Sequence, residues 1–136
     1  MRREDDSGGG ARLLTPIEAV GRAVAAAADK KARNLVVLDV GPFLAITDYF
    51  LLASGGSDRQ MKTIAEEVEA RLTAEKLKPI RTEGSADGGW ILLDYGDFVV
   101  HIFSDAMREY YDLERLWKDA KRPDLPELVD AREALA

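Results

Sequence analysis

The chain predicts a single α/β domain in which a mixed β-sheet is packed with helices. Two observations carry that prediction. Stripes of helical period interleave with short, nearly continuous apolar runs in the first half, and late in the chain two β-rich runs flank a two-residue gap containing glycine. No internal repeat competes with this pattern.

Taken in order, residues 1–13 form a polar leader with Ser7-Gly8-Gly9-Gly10 at its centre, read as a flexible arm that cannot offset its ordering entropy. The domain proper is expected over residues 14–121. Its first helix starts at Thr15-Pro16-Ile17-Glu18, where Thr15 caps, Pro16 suits the first turn and Glu18 reaches back to complete a capping box. Ile17, Val20, Val24 and Ala27 or Ala28 then recur on one face, to about Lys31. Leu35 to Val40, ended by Gly41-Pro42, reads as a strand buried on both faces, and Asp48 to Ser54, closed by Gly55-Gly56, as a second. Ser57 caps the next helix, with Gln60 at the reciprocal position and Met61, Ile64, Ala65, Val68 and Leu72 as its buried stripe before Pro79. A short strand at Pro79–Thr82, a Gly-rich loop from Glu83 to Gly89, and the hairpin Trp90–Asp94 and Asp97–Phe103 follow. One helix from Met107 to Ala120 then places Tyr110, Leu113, Leu116 and Trp117 together, and the tail, residues 122–136, has the pattern of a short terminal helix.

Composition narrows the function. With 136 residues the chain is long enough to bury about two-thirds of its unfolded surface, so it needs no metal or disulfide staple. The absence of cysteine excludes disulfides, cysteine-ligated clusters and cysteine nucleophiles. No apolar run is long enough to span a membrane, and the leader lacks a signal-like core, which makes the cytoplasm the expected location. Nineteen basic against 25 acidic side chains give a net charge of −6, unlike the basic face of a nucleic-acid binder and suited to a basic protein partner.

The hairpin carries the functional signal. If Tyr95 and Gly96 form its loop, Asp94 faces Asp97, Leu92 faces Val99 and Trp90 faces His101 on one side, with Ile91, Leu93, Phe98, Val100 and Ile102 on the other. A three-residue loop with a bulge slips this pairing by one and regroups the faces. The first side mixes an indole, carboxylates, an imidazole and aliphatics, a composition suited to recognition. Seven of the ten aromatics lie within the 28 residues from Trp90 to Trp117, and aromatic anchors beside acids fit a basic partner. Core packing accounts for Phe98 and Trp117, which sit on apolar stripes, better than for Trp90 and Tyr95.

Catalytic readings have less to rest on. His101 is the sole histidine, so no two-histidine metal site exists, and Asp94 and Asp97 read first as turn formers. Gly55-Gly56-Ser57 between a strand and a helix resembles an anion-binding turn, yet no P-loop lysine or dinucleotide fingerprint accompanies it. The acids about ten residues on, Glu66-Glu67, lie on a helix rather than on a strand, where a nucleotidyltransferase needs its metal-binding pair.

A set of motifs then resembles a known family. Asp48-Tyr49-Phe50, Ala53-Ser54-Gly55, Ser57-x-Arg59-Gln60, Glu83-Gly84, Trp90-Ile91-Leu92-Leu93-Asp94-Tyr95-Gly96-Asp97, Val99-Val100-His101-Ile102-Phe103 and Arg108-x-x-Tyr111-x-Leu113-Glu114-x-Leu116-Trp117-x-Asp119-Ala120 occur in order and with the spacing of the ribosomal silencing factors, the Iojap-related proteins. The similarity spans residues 15 to 120; Ala45 stands where the family commonly has serine. It implies a non-enzymatic, cofactor-free factor with a nucleotidyltransferase-like fold, often a homodimer. Such a factor docks on ribosomal protein fourteen of the large subunit, blocks the small subunit and represses translation when nutrients are scarce. The resemblance assigns partner contact to Trp90, Leu93, Asp94, Tyr95, Asp97, His101, Arg108 and Tyr111. A nucleotide-binding enzyme using the Gly55-Gly56-Ser57 turn is the alternative.

Overall fold

The structure, a computed structural model, describes residues 13–135. The expected arm therefore lies outside the described residues, Leu13 excepted. Along the chain run α1 (Pro16–Asp29), β1 (Arg33–Asp39), β2 (Tyr49–Gly55), α2 (Asp58–Ala74), β3 (Arg81–Ser85), β4 (Trp90–Asp94), β5 (Phe98–Ser104), α3 (Asp105–Tyr111), α4 (Leu113–Leu116) and α5 (Pro126–Leu135). The strands form one mixed sheet in the order β1-β2-β5-β4-β3, parallel only between β2 and β5.

Local chemistry sets the helix ends. Thr15 Oγ1 accepts from the Glu18 amide at 3.3 Å while Glu18 Oε1 accepts from the Thr15 amide at 2.9 Å, the expected capping box. α1 stops two residues short of Lys31, because Lys31 turns left-handed and the Ala32 amide donates back to Ala27 O. α2 ends the same way, with Lys76 left-handed and Leu77 donating to Leu72 O, so both helices close in Schellman motifs without a glycine. Ser57 caps α2 as expected, but Gln60 serves a longer reach. Its Oε1 accepts from the Gly56 amide at 2.7 Å and its Nε2 donates to Lys30 O and Lys31 O, tying the start of α2 to the end of α1.

The two faces of the sheet are covered unequally. On one face α1 and α2 bury Val20, Val24, Ile64, Val68 and Leu72 against Leu51, Leu93, Phe98, Val100 and Ile102. α5 lies against α1, and its Leu128 and Ala131 are buried. The opposite face carries a smaller cluster, Leu38, Val40, Leu52, Phe103 and Ala120, flanked by Phe50, Trp90, Met107, Leu113 and Trp117. β1, expected to be buried on both faces, is an edge strand whose first residues are exposed.

Three further expectations are corrected. β3 lies at Arg81–Ser85 rather than Pro79–Thr82, because half of the supposed loop pairs with β4 as an exposed edge strand. Gly84 makes that pairing possible: at φ 81° it sits where a Cβ would lie 2.1 Å from Trp90 O. In the β4–β5 hairpin the pairs are Asp94↔Val99, Leu92↔His101 and Trp90↔Phe103, a slip of two from the expected register. The turn residues are thus Gly96 and Asp97, closed by the Tyr95 amide donating to Phe98 O at 2.9 Å, and Gly96 takes the positive φ that Tyr95 would have had to adopt. A slip of two leaves the paired strand side chains on their expected faces, while Asp97 moves from the strand into the turn.

The third correction concerns the last expected helix of the domain, which breaks at Asp112 (φ 50°) into α3 and α4. Arg108 and Glu114 explain the break. Six residues apart on an unbroken helix they would point about 120° apart; across the break, Glu114 accepts from Arg108 Nε at 3.1 Å and Nη2 at 3.0 Å.

Candidate functional site

Alternation along the hairpin, with only short helices on one side, leaves part of that sheet face open. Trp90, Leu92 and Asp94 of β4 stand beside Val99, His101 and Phe103 of β5 and beside Ser85, Glu83 and Arg81 of β3, each pair at matching register. α3 and α4 cover the Phe103 end; Leu92 and Asp94 remain half-buried and Glu83 exposed. A chain of rings crosses this face: Phe43 to Trp117 (6.1 Å), Trp117 to Phe50 (5.9 Å), Phe50 to His101 (4.6 Å), His101 to Trp90 (5.8 Å), Trp90 to Tyr111 (4.5 Å) and Tyr111 to Tyr110 (5.0 Å). Phe43 is 52% exposed and Tyr111 45%, so the belt ends in solvent at both sides. Glu83 and Asp94 both pair with Arg81, at 3.1 and 3.2 Å, so the exposed apolar rings stand beside a mixed-charge cluster, which suits a protein partner.

The eight residues singled out from the sequence divide by this geometry. Trp90, Asp94 and Tyr111 share the open face, and Asp97 is exposed at the hairpin tip. Asp94 also shapes the turn, since Oδ1 accepts from the Gly96 amide at 2.8 Å and Oδ2 pairs with Arg81 Nη2 at 3.2 Å. Leu93, 1% exposed, belongs to the core under α1 and α2. Tyr95 points to that same side, stacked on Phe98 at 5.0 Å, and burial raises the pKa of its unpartnered hydroxyl well above the ordinary value.

His101 lies beneath the open face, whereas Arg108 is buried toward β1 and β2. His101 is 4% exposed, and burial pushes its pKa down to about 4, so the imidazole is neutral. Its Nδ1 accepts from Trp90 Nε1 at 3.1 Å. Arg108, 8% exposed, spends its guanidinium on Ser54 Oγ (2.8 Å), Asn34 O (2.7 Å) and the Glu114 carboxylate, whose pKa it lowers chiefly through those hydrogen bonds. The sequence reading missed Leu92, Phe50 and Phe43 as surface candidates. Alternation already placed Leu92 beside Trp90, and an aromatic just after Gly41-Pro42 was a visible loop signal.

The Gly55-Gly56-Ser57 turn is occupied from within the chain. The Gly56 amide donates to Gln60, the Gln60 amide to Ser57 Oγ, and Arg33 stands over Gly56 while paired with Asp105 at 2.9 Å. Among the described residues no three acidic or imidazole side chains are grouped to hold a metal ion, and no helix is long and apolar enough to cross a membrane.

Comparison with known proteins gives the family. Residues 14–136 match the family described as ribosomal silencing factor during starvation. The chain belongs to that family. It is 40% identical over 103 residues to the ribosomal silencing factor of Bacillus subtilis, covering 76% of this chain and 87% of that protein. A crystal structure of a Chromobacterium violaceum protein superposes with a TM-score of 0.74 at 32% identity, over 83% of this chain and 93% of the other. A mouse protein named mitochondrial assembly of ribosomal large subunit protein 1 is 31% identical over 91 residues, which are 65% of this chain and 40% of the mouse protein. The family membership accords with the resemblance drawn from the hairpin and helix motifs, and the α/β fold with its mixed sheet is shared with the solved relative.

Proposed function

We propose that the chain docks on the large ribosomal subunit through ribosomal protein fourteen and obstructs joining of the small subunit. In the cytoplasm this represses translation, above all under nutrient limitation. The reading is supported by family membership, and the observation that carries the site is the open sheet face with its aromatic belt and its acids Glu83, Asp94 and Asp97. Trp90, Asp94, Asp97 and Tyr111 make contact in this reading, together with Leu92, Phe50 and Phe43. Leu93, Tyr95, His101 and Arg108 act from behind, by holding the hairpin and α3 in shape. A homodimer, which the family resemblance also implies, is tested by sedimentation velocity.

The mechanism is steric and needs no cofactor. A rigid domain seated on the joining surface excludes the other subunit by its bulk, and a net charge of −6 favours encounter with a basic protein. Co-sedimentation with purified large subunits tests it, with a folded Trp90→Ala, Asp94→Ala variant beside the wild type. The wild type is expected to pellet with the subunit and the variant to stay in solution, and added salt to slow the association rate. Wild type left in the supernatant would reject the partner; equal pelleting of both proteins would reject the face.

A further inference from the structure

We propose that His101 is a positioning residue: by accepting a hydrogen bond at Nδ1 it holds the Trp90 indole in the orientation the docking surface requires. The inference rests on the docking reading above and assigns a role within it. At 4% exposure His101 touches no partner directly, so any effect it has on binding passes through its neighbours. The neighbour it engages by hydrogen bond is Trp90, with Nε1 donating to Nδ1 at 3.1 Å. Because Nδ1 accepts, the neutral ring carries its proton on Nε2, and that atom is buried without a hydrogen-bond partner among the described residues.

An orphaned N–H in a core is costly, and a leucine between Phe50 and Phe103 would avoid it. The imidazole is thus a poor choice for stability alone. What it offers in return is an acceptor aimed at the indole. Tyr111 at 4.5 Å and Phe103 at 4.9 Å pack on the indole but offer its N–H no acceptor; His101 Nδ1 supplies one, and so fixes which edge of the ring faces the sheet. An anchor held before contact loses less side-chain freedom on binding, and so binds more tightly.

The test uses the full chain and its two tryptophans, Trp90 and Trp117, which give two indole N–H resonances in a ¹⁵N-correlated spectrum. His101→Asn places an amide oxygen near the position of Nδ1, whereas His101→Leu removes the acceptor. His101→Asn is expected to retain both the Trp90 resonance and wild-type binding to large subunits. His101→Leu is expected to shift that resonance upfield and to weaken binding about three- to tenfold with no loss of thermal stability. In a Trp90→Phe background, which keeps a ring but lacks the donor, His101→Leu should leave binding unchanged. The role is overturned if His101→Leu binds as the wild type does, if His101→Asn is as weak as His101→Leu, or if the Trp90 resonance does not move. Wild type that fails to bind large subunits would overturn the docking reading, and this role with it; wild-type binding with indifferent variants would overturn this role alone.

Discussion

Acidification tests the burial of His101 in a way that docking does not enter. Burial pushes the imidazole pKa down to about 4 in the folded protein, against about 6.5 in the unfolded chain. Between those values the unfolded chain binds the additional proton, so this group's contribution to stability is fully present above about pH 6.5 and is lost as pH falls toward 4. At pH 5 the unfolded imidazole is almost wholly charged and the folded one almost wholly neutral. The interval of about 1.5 pH below 6.5, at about 1.36 kcal/mol for each, amounts to about 2 kcal/mol. Urea unfolding followed by circular dichroism, near pH 7 and near pH 5, measures this in the wild type and in His101→Leu. Carboxylates such as Glu114, whose pKa is lowered by Arg108, titrate in both proteins and cancel in the comparison. The wild type should lose about 2 kcal/mol more than the variant. Equal losses would mean that the imidazole titrates as it does in water, and would refute its burial as a neutral ring.

Two further substitutions probe the frame of the candidate surface. Arg108→Ala leaves the Glu114 carboxylate without its bidentate partner and Ser54 Oγ without its donor; a loss of about 3 kcal/mol is expected in denaturant unfolding. Gly84→Ala sets a Cβ 2.1 Å from Trp90 O at a positive φ, so β3 must separate locally from β4. Stability should fall by about 1–3 kcal/mol, with faster amide exchange in both strands while β1 and β2 keep their protection.

Much of this architecture was legible because its signals are local. Thr15-Pro16-Ile17-Glu18 and Ser57 announce helix starts by hydrogen-bonding chemistry confined to one turn. The division of the hairpin into two faces was equally readable, since side-chain alternation survives a slip of two. The slip itself was not: it depends on Gly96 rather than Tyr95 taking the positive φ, and both assignments give a two-residue turn. The break at Asp112 escaped because Arg108 reads as a surface cation, whereas its partners Asn34 and Ser54 lie far back in the sequence. For the same reason alternation put His101 on the recognition face without revealing that Phe50 and Trp90 close over it. Periodicity tells which way a side chain points, not what folds back to cover it.

The parallel pairing of β2 with β5 dictates when this chain can become a domain. Tyr49–Gly55 must wait for Phe98–Ser104 before its inner edge is satisfied, and β4 and β3 reach the sheet only through β5. During synthesis, α1, β1, β2 and α2 therefore emerge as half a sandwich, with the apolar stripe of α2 and one edge of β2 lacking their cover. Truncation before Phe98 should yield an insoluble fragment rather than a smaller domain, and the arrival of β5 should act as the step that commits the whole sheet at once.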